Sequence, residues 1–334
     1  MAPAPAAVVA AARPSSPPRA SSPRRGRACS FRRATPSPRR PTALVSSVSH
    51  SCRRVLASYP HSYLFRLEMG QYSRSRRPLC SQAEVASTTV DDDDDDACEL
   101  VSGSDLVIGE GDDSFSAYLF NAVKNNNGTG ILLLSDVFGF QDSATRDFAY
   151  RVACSGYNVL VPDLFRGNPW KPSQPFDDES FARWLSGHAP ARVSGDIDAC
   201  TRWLVDEFKA AGVSKTKLGV VGFCYGGGRL VEALARDAES RCFGAGVCFY
   251  GSRMDASLGD RVAAPVLFVC GDGDPLCAVE TVRELERRAR GAKAVVYAGR
   301  GHGFAHRPQS VEEDGDAEDA FNAMRAWLHD HLLA

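Results

Sequence analysis

The chain has 334 residues, 44% of them apolar, and a formal net charge of −2, an ordinary globular composition with room for one large domain or two small ones. That charge is unevenly placed: the first 80 residues hold fifteen Arg, no Lys and a single acidic residue, Glu68, so the rest carries about −16, which argues against nucleic-acid binding by that part. No run approaches the roughly 18 apolar residues of a membrane span.

Residues 1–80 are rich in Ala, Ser, Pro and Arg, a composition that buries too little apolar surface to offset chain entropy. The Arg-rich, Ser-rich, acid-poor bias is that of an organellar transit peptide without the apolar core of a secretory signal. A chloroplast address is expected, with mitochondrion or cytoplasm as alternatives; Met69 is the other candidate start. Residues 81–97 contain the run Asp91–Asp96, a like-charge block that repels itself and reads as a flexible acidic linker. The folded domain is expected over 98–334.

From there strands and helices alternate. Phe115–Asn121 reads as an antiparallel edge strand, and the Asn-rich Lys124–Gly130 as a hairpin turn. Gly130–Ser135 is a continuous apolar run, as in a strand buried on both faces. A helix over Ser143–Ser155 ends near Gly156, and Tyr157–Val161 is the next strand. The Pro-, Gly- and Trp-rich excursion Arg166–Ala189 is a candidate partial lid. A helix over Val193–Ala211 precedes a strand at Leu218–Val221. Strands at Ala245–Tyr250, Pro265–Cys270 and Ala294–Tyr297, with helices at Val279–Arg290 and Ala317–Leu333, complete the chain. Alternation of this kind implies a doubly wound, mostly parallel sheet with helices on both faces.

The chemistry-bearing motif is Gly222-Phe223-Cys224-Tyr225-Gly226-Gly227-Gly228. A strand turning sharply into a helix around a glycine-flanked nucleophile is the nucleophile elbow of the α/β-hydrolase fold, with Cys224 where serine is commoner. Catalytic groups in such sheets sit at the carboxyl ends of strands. Two more candidates fall there: Asp274 in Gly271-Asp272-Gly273-Asp274-Pro275, and His302 in Gly299-Arg300-Gly301-His302-Gly303. The order nucleophile, acid, histidine is the one expected. Asp272 competes with Asp274, which lies farther past its strand and precedes Pro275. A free thiol has a pKa of about 8.5; His302 would take its proton and Asp274 would orient the imidazole. The Tyr225 and Val137 amides are the expected oxyanion donors. His188 and His306 read as ordinary loop residues. Cys154, Cys200, Cys248 and Cys270 read as core fillers, and the eleven Cys show no metal-ligand spacing.

GFCYGGG, GDGDP, GHGFAHR and Ser135-Asp136-Val137-Phe138-Gly139 together resemble the dienelactone hydrolase (carboxymethylenebutenolidase) family. The resemblance covers Cys98–Ala334. It implies Cys224, Asp274 and His302 as a triad, and Asp136 at the position of a glutamate that helps activate the thiol. It also places Arg166 and Arg307 nearest the arginines that hold a substrate carboxylate. The expectation is a cofactor-free, metal-free, monomeric hydrolase of small esters or lactones acting through a thioester. Two other classes stay open: a ligand sensor with little turnover, and a thiol redox sensor pairing Cys224 with a partner such as Cys277.

Overall fold

A computed structural model describes residues 100–213 and 217–334. The transit-peptide and linker expectations, and the expected starting point of the domain, lie outside these residues.

One eight-stranded sheet organises them. Its strands are β1 (Val101–Ile108), β2 (Phe115–Ala122), β3 (Gly130–Leu134), β4 (Asn158–Pro162), β5 (Leu218–Phe223), β6 (Phe243–Phe249), β7 (Val266–Gly271) and β8 (Lys293–Tyr297). Their spatial order is β1-β2-β4-β3-β5-β6-β7-β8, with β2 antiparallel to both its neighbours, β1 and β4, and every other pair parallel. The helices are α1 (Ser143–Cys154), α2 (Asp178–Ser186), α3 (Pro190–Ala210), α4 (Tyr225–Arg236), α5 (Val279–Arg288) and α6 (Val311–Leu332).

Every residue of β3, β4, β5, β6 and β7 is buried, because helices cover both faces, and this is why these strands read as unbroken apolar runs. The two faces can be told apart by parity. A Cβ on Gly246 would meet Leu234 of α4, whereas Phe249, three residues along the same strand, packs edge-on against Phe148 of α1. Phe148 also meets Phe321 of α6. Thus α1 and α6 share one face and α4 the other, since side chains an odd number apart on a strand point to opposite sides.

Two sequence expectations are corrected. β2 is not an edge strand: it sits between β1 and β4. The edge strand β1 alternates weakly, with Ser102–Asp105 exposed or half-exposed, so its periodicity carries little signal. The Lys124–Gly130 segment is not a hairpin turn either, because β4 lies between β2 and β3. Its asparagines bind the loop before β4 instead: Asn125 Nδ2 donates to the Cys154 carbonyl at 2.8 Å, the Asn127 amide donates to Gly156 at 2.9 Å, and Asn126 pairs with Asn158 at 3.1 Å. The same Asn-rich composition serves a turn or such a cross-link, and only the strand order separates them. The Arg166–Ala189 excursion holds α2 and an aromatic cluster of Trp170, Phe176, Phe181 and Trp184.

From β3 the chain runs to β4 on one side and later returns to β5 on the other. The loops leaving β3 and β5 therefore diverge at a switch point, the place where such sheets open a crevice for ligands.

Candidate active site

Cys224 caps α4 with φ 48° and ψ −114°, a region that costs a non-glycine residue on the order of 1–3 kcal/mol and persists only where its surroundings impose it. Those surroundings are backbone. A Cβ on Gly226 would lie 2.2 Å from the Leu134 carbonyl oxygen, one on Gly228 2.2 Å from that of Ser252, and one on Gly222 2.6 Å from that of Gly226. The glycines are there because the start of α4 is pressed onto the ends of β3 and β6, leaving no volume for a side chain. The Cys224 amide donates to Phe249 at 3.1 Å and its carbonyl accepts from Ser252 and Gly228 at 2.9 and 3.2 Å. The sulfur is thereby presented at the carboxyl edge of the sheet, 9% exposed.

Asp274 follows β7 and His302 follows β8. His302 Nδ1 and Asp274 Oδ2 are 2.7 Å apart. The other Asp274 oxygen accepts from the Leu276 and Cys277 amides at 2.8 and 3.2 Å, so the carboxylate, its side chain wholly buried, is held at both oxygens. Asp272, the competing acid, instead accepts from the Gly299 amide at 2.6 Å, joining the loops that follow β7 and β8. Burial works against a charge on His302, yet its pKa is pushed up to about 10, first by the Cys224 sulfur and then by Asp274. The sulfur and the imidazole are thus in electrostatic contact. A hydrogen bond to the sulfur adds to that upward push on His302, while the thiol also reaches Ser252 Oγ at 3.7 Å and His302 Nε2 has no other partner among the described residues. Such bonds are often loose before substrate arrives.

The Val137 and Tyr225 amides flank this edge. Among the described residues neither donates to a protein acceptor, leaving both available to an oxyanion. The Val137 carbonyl accepts from the Trp170 amide at 2.9 Å, and the Tyr225 ring packs on Phe165, so the excursion after β4 braces both donors.

The remaining sequence candidates go elsewhere. Asp136 is 4% exposed, accepts from the Phe138 amide at 2.9 Å and from Arg307 Nε at 2.9 Å. Burial raises its pKa, partly countered by Arg307. Arg307 also donates to Asp142 at 2.6 Å. Arg166 donates to both oxygens of Asp196 at 3.2 and 2.7 Å and to the Asp113 carbonyl at 3.2 Å. Both guanidinium groups, expected to be open to a substrate carboxylate, already hold carboxylates of the protein. Cys277, the suggested redox partner of Cys224, has the Cys270 thiol as its interacting neighbour, which together with burial raises its pKa.

Three groups escaped the sequence reading: Ser252, Tyr250 and His306. His306 is not an ordinary loop residue, since it is buried against Phe223 and Tyr250. The signal available was its place four residues after His302, on the same strand-end loop. Among the described residues no group of His, Cys, Asp and Glu is arranged to hold a metal ion, and no helix is long and apolar enough to cross a membrane.

Residues 115–332 match the model of the dienelactone hydrolase family. A rat (Rattus norvegicus) carboxymethylenebutenolidase homolog is 30% identical over 214 residues, covering 61% of this chain and 83% of the relative. A Bradyrhizobium protein named as a probable 2-oxo-3-(5-oxofuran-2-ylidene)propanoate lactonase is 26% identical over 247 residues, covering 71% and 97%. The crystal structure of dienelactone hydrolase from Anabaena variabilis superposes with a TM-score of 0.54 at 17% identity, covering 70% of this chain and 100% of that one, which speaks to the fold alone.

Proposed function

The chain belongs to the dienelactone hydrolase family, and on that premise we propose that it hydrolyses small esters or lactones with Cys224 as nucleophile, His302 as acid and base, and Asp274 as the group that orients the histidine. One observation carries most of the weight: the imidazole bound to Asp274 at 2.7 Å is in electrostatic contact with a sulfur held in a strained turn.

The steps follow from the charges. Catalysis starts from a Cys224 thiolate beside a protonated His302, the sulfur being the largest influence that raises the imidazole's pKa. The thiolate adds to the carbonyl carbon, and the oxyanion is held by the Tyr225 and Val137 amides, each such donor typically lowering the barrier by about 3 kcal/mol. Collapse expels the alkoxide, which takes the proton of His302 Nε2, and a thioester remains. Acylation removes the sulfur's negative charge, so the support for the imidazolium falls and the neutral ring is the stable form. That ring then accepts a proton from water as the hydroxide attacks the thioester. The thiolate leaves, the acid departs and the imidazolium is restored.

A pH profile tests the ion pair. His302 in the free enzyme is protonated below about 10, and attack requires the protonated form to serve the leaving group. The kcat/KM for an activated ester is expected to hold through neutral pH and fall as pH rises through about 10; an alkaline limb close to 7 would contradict the thiolate–imidazolium pair. Rapid quench followed by mass spectrometry should find the acyl group on the Cys224 peptide, and an acyl group elsewhere would remove the nucleophile assignment.

Arginine pairing bears on the substrate. An acyl carboxylate reaching Arg307 has to displace Asp136 or Asp142, two like charges. We expect the kcat/KM for an uncharged acyl ester to exceed that of its carboxylate-bearing counterpart by about tenfold, equivalent to about 1.4 kcal/mol of like-charge opposition. The reverse order would show that the arginines recruit the substrate carboxylate, with Arg307→Ala then erasing the preference.

A further inference from the structure

Beside the His302 ring lies a buried tyrosine–histidine pair to which the mechanism above gives no role. Tyr250 follows β6, is 1% exposed and has φ 37°. A bulky residue keeps a positive φ only when its contacts impose it. Here the contacts are specific. The Tyr250 amide donates to Val269 at 2.6 Å. Its ring meets the His302 ring edge-on, with centroids 4.9 Å apart at 73°. Its hydroxyl lies 3.0 Å from His306 Nδ1. His306 in turn stacks flat on Phe223, the residue before Cys224, at 4.2 Å and 19°.

The groups facing this pair are Asp136, Arg307, Asp274 and Cys224. Burial, reinforced by Arg307, pushes the His306 pKa well below its ordinary value, and burial pushes the Tyr250 phenol well above its own. Both groups are therefore neutral and share one hydrogen bond between the phenol and Nδ1. Asp136 lies 3.7 Å from the same nitrogen, too far for a hydrogen bond.

We propose that Tyr250 is a positioning residue for His302, with its own ring fixed by the hydrogen bond to His306. The bond to Asp274 anchors only one end of the imidazole and leaves rotation about that axis open; the edge of Tyr250 closes it. Because His306 stacks on Phe223, the same set of rings registers the base against the backbone that carries the nucleophile. The inference rests on the triad reading above, and it adds an element that the triad alone does not require.

Tyr250→Phe tests it, since the ring stays and only the hydroxyl goes. Per active site counted by the acylation burst, kcat should fall about tenfold with KM changed less than about twofold, the pattern of a loss felt in the transition state. The pH dependence of Cys224 alkylation by iodoacetamide, read on the Cys224 peptide, should move upward, because a mobile imidazole supports the thiolate less. His306→Phe keeps the stack and removes the hydrogen-bond partner, so it should reproduce both changes. The double variant should be no worse than either single one. A merely structural role would lower thermal stability while leaving the per-site kcat and the alkylation profile at wild-type values, and that result overturns the proposal. Losses that add in the double variant overturn the link through His306. If His306→Phe does not fold, Tyr250→Leu replaces it: without a ring it should lose more than Tyr250→Phe, and equal losses count against the proposal. Wild-type protein inactive on every ester would instead refute the hydrolase reading, while the alkylation profile would still report on the Cys224–His302 pair.

Discussion

Cys224→Ala is expected to lower kcat/KM for an activated ester by at least about 10³, the scale on which removing a covalent nucleophile acts. No neighbour can substitute. Ser252 Oγ is 3.7 Å from the sulfur, but it follows β6 rather than occupying the elbow, and no base among the described residues is bonded to it. The fold should survive, because alanine retains the Cβ that the strained backbone already accommodates and the hydrogen bonds that join Cys224 to Phe249 and Ser252 are main-chain. Cys224→Ser should also lose most activity: a hydroxyl is far less acidic than a thiol, and the imidazolium would lose its principal partner. Steady-state hydrolysis of an aryl ester, with thermal melts alongside, decides the matter. Activity in Cys224→Ala within tenfold of wild type would end the nucleophile assignment.

Gly226→Ala is expected to damage the fold severely. The new Cβ would lie 2.2 Å from the Leu134 carbonyl oxygen, 2.6 Å from its carbon and 2.6 Å from the Ser135 oxygen. All three are backbone atoms at the end of a central, fully buried strand, so no side chain can swing away. Either α4 lifts off β3 or the strand bends, and such overpacking typically costs about 1–3 kcal/mol, more where backbone must shift. In a domain of this size that amounts to roughly 5–10 °C in Tm. The same displacement would separate the Val137 and Tyr225 amides, so activity should fall even in the folded fraction. Gly315→Ala supplies the opposite sign. That glycine lies inside α6 with nothing within 4 Å of a new Cβ, and alanine there should be neutral or stabilise by up to about 1 kcal/mol. Equal melting temperatures for Gly226→Ala and wild type would show that the elbow is not packed as described.

Much of the site was legible because its constraints are local. A tight turn between a buried strand and a helix leaves room only for glycine two residues to either side of the residue at the bend, so Gly222, Gly226 and Gly228 mark Cys224 without any knowledge of the rest of the chain. Asp274 and His302 were legible for a related reason. Each follows a recognisable buried strand, and the strand ends of a parallel sheet gather at one edge. The choice between Asp274 and Asp272 leaned on position alone; the contacts now separate them, since one carboxylate meets His302 and the other the Gly299 amide.

The arginines show where local reading stops. Arg166 and Arg307 have a type and an approximate position that suit a substrate carboxylate, yet each is within reach of protein carboxylates far along the chain: Asp196, Asp142 and Asp136. A charge does not reveal from its own neighbours in sequence which opposite charge will neutralise it. The same limit hid Tyr250 and His306, which are 56 residues apart and individually unremarkable as a strand-end tyrosine and a loop histidine.

From the order of its amino acids alone, then, this chain declares an alternating α/β architecture, a cysteine in a glycine-framed bend, and an acid and a histidine later at strand ends. These depend on backbone sterics and on periodic burial, which act over a few residues at a time. The three-dimensional packing alone decided that β1 and not β2 is an edge of the sheet, that the asparagine segment spans β4 instead of turning back, that both arginines are already paired, and that an aromatic stack stands behind the histidine. Those outcomes depend on which distant groups become neighbours once the sheet is assembled, and proximity across a fold has no local imprint.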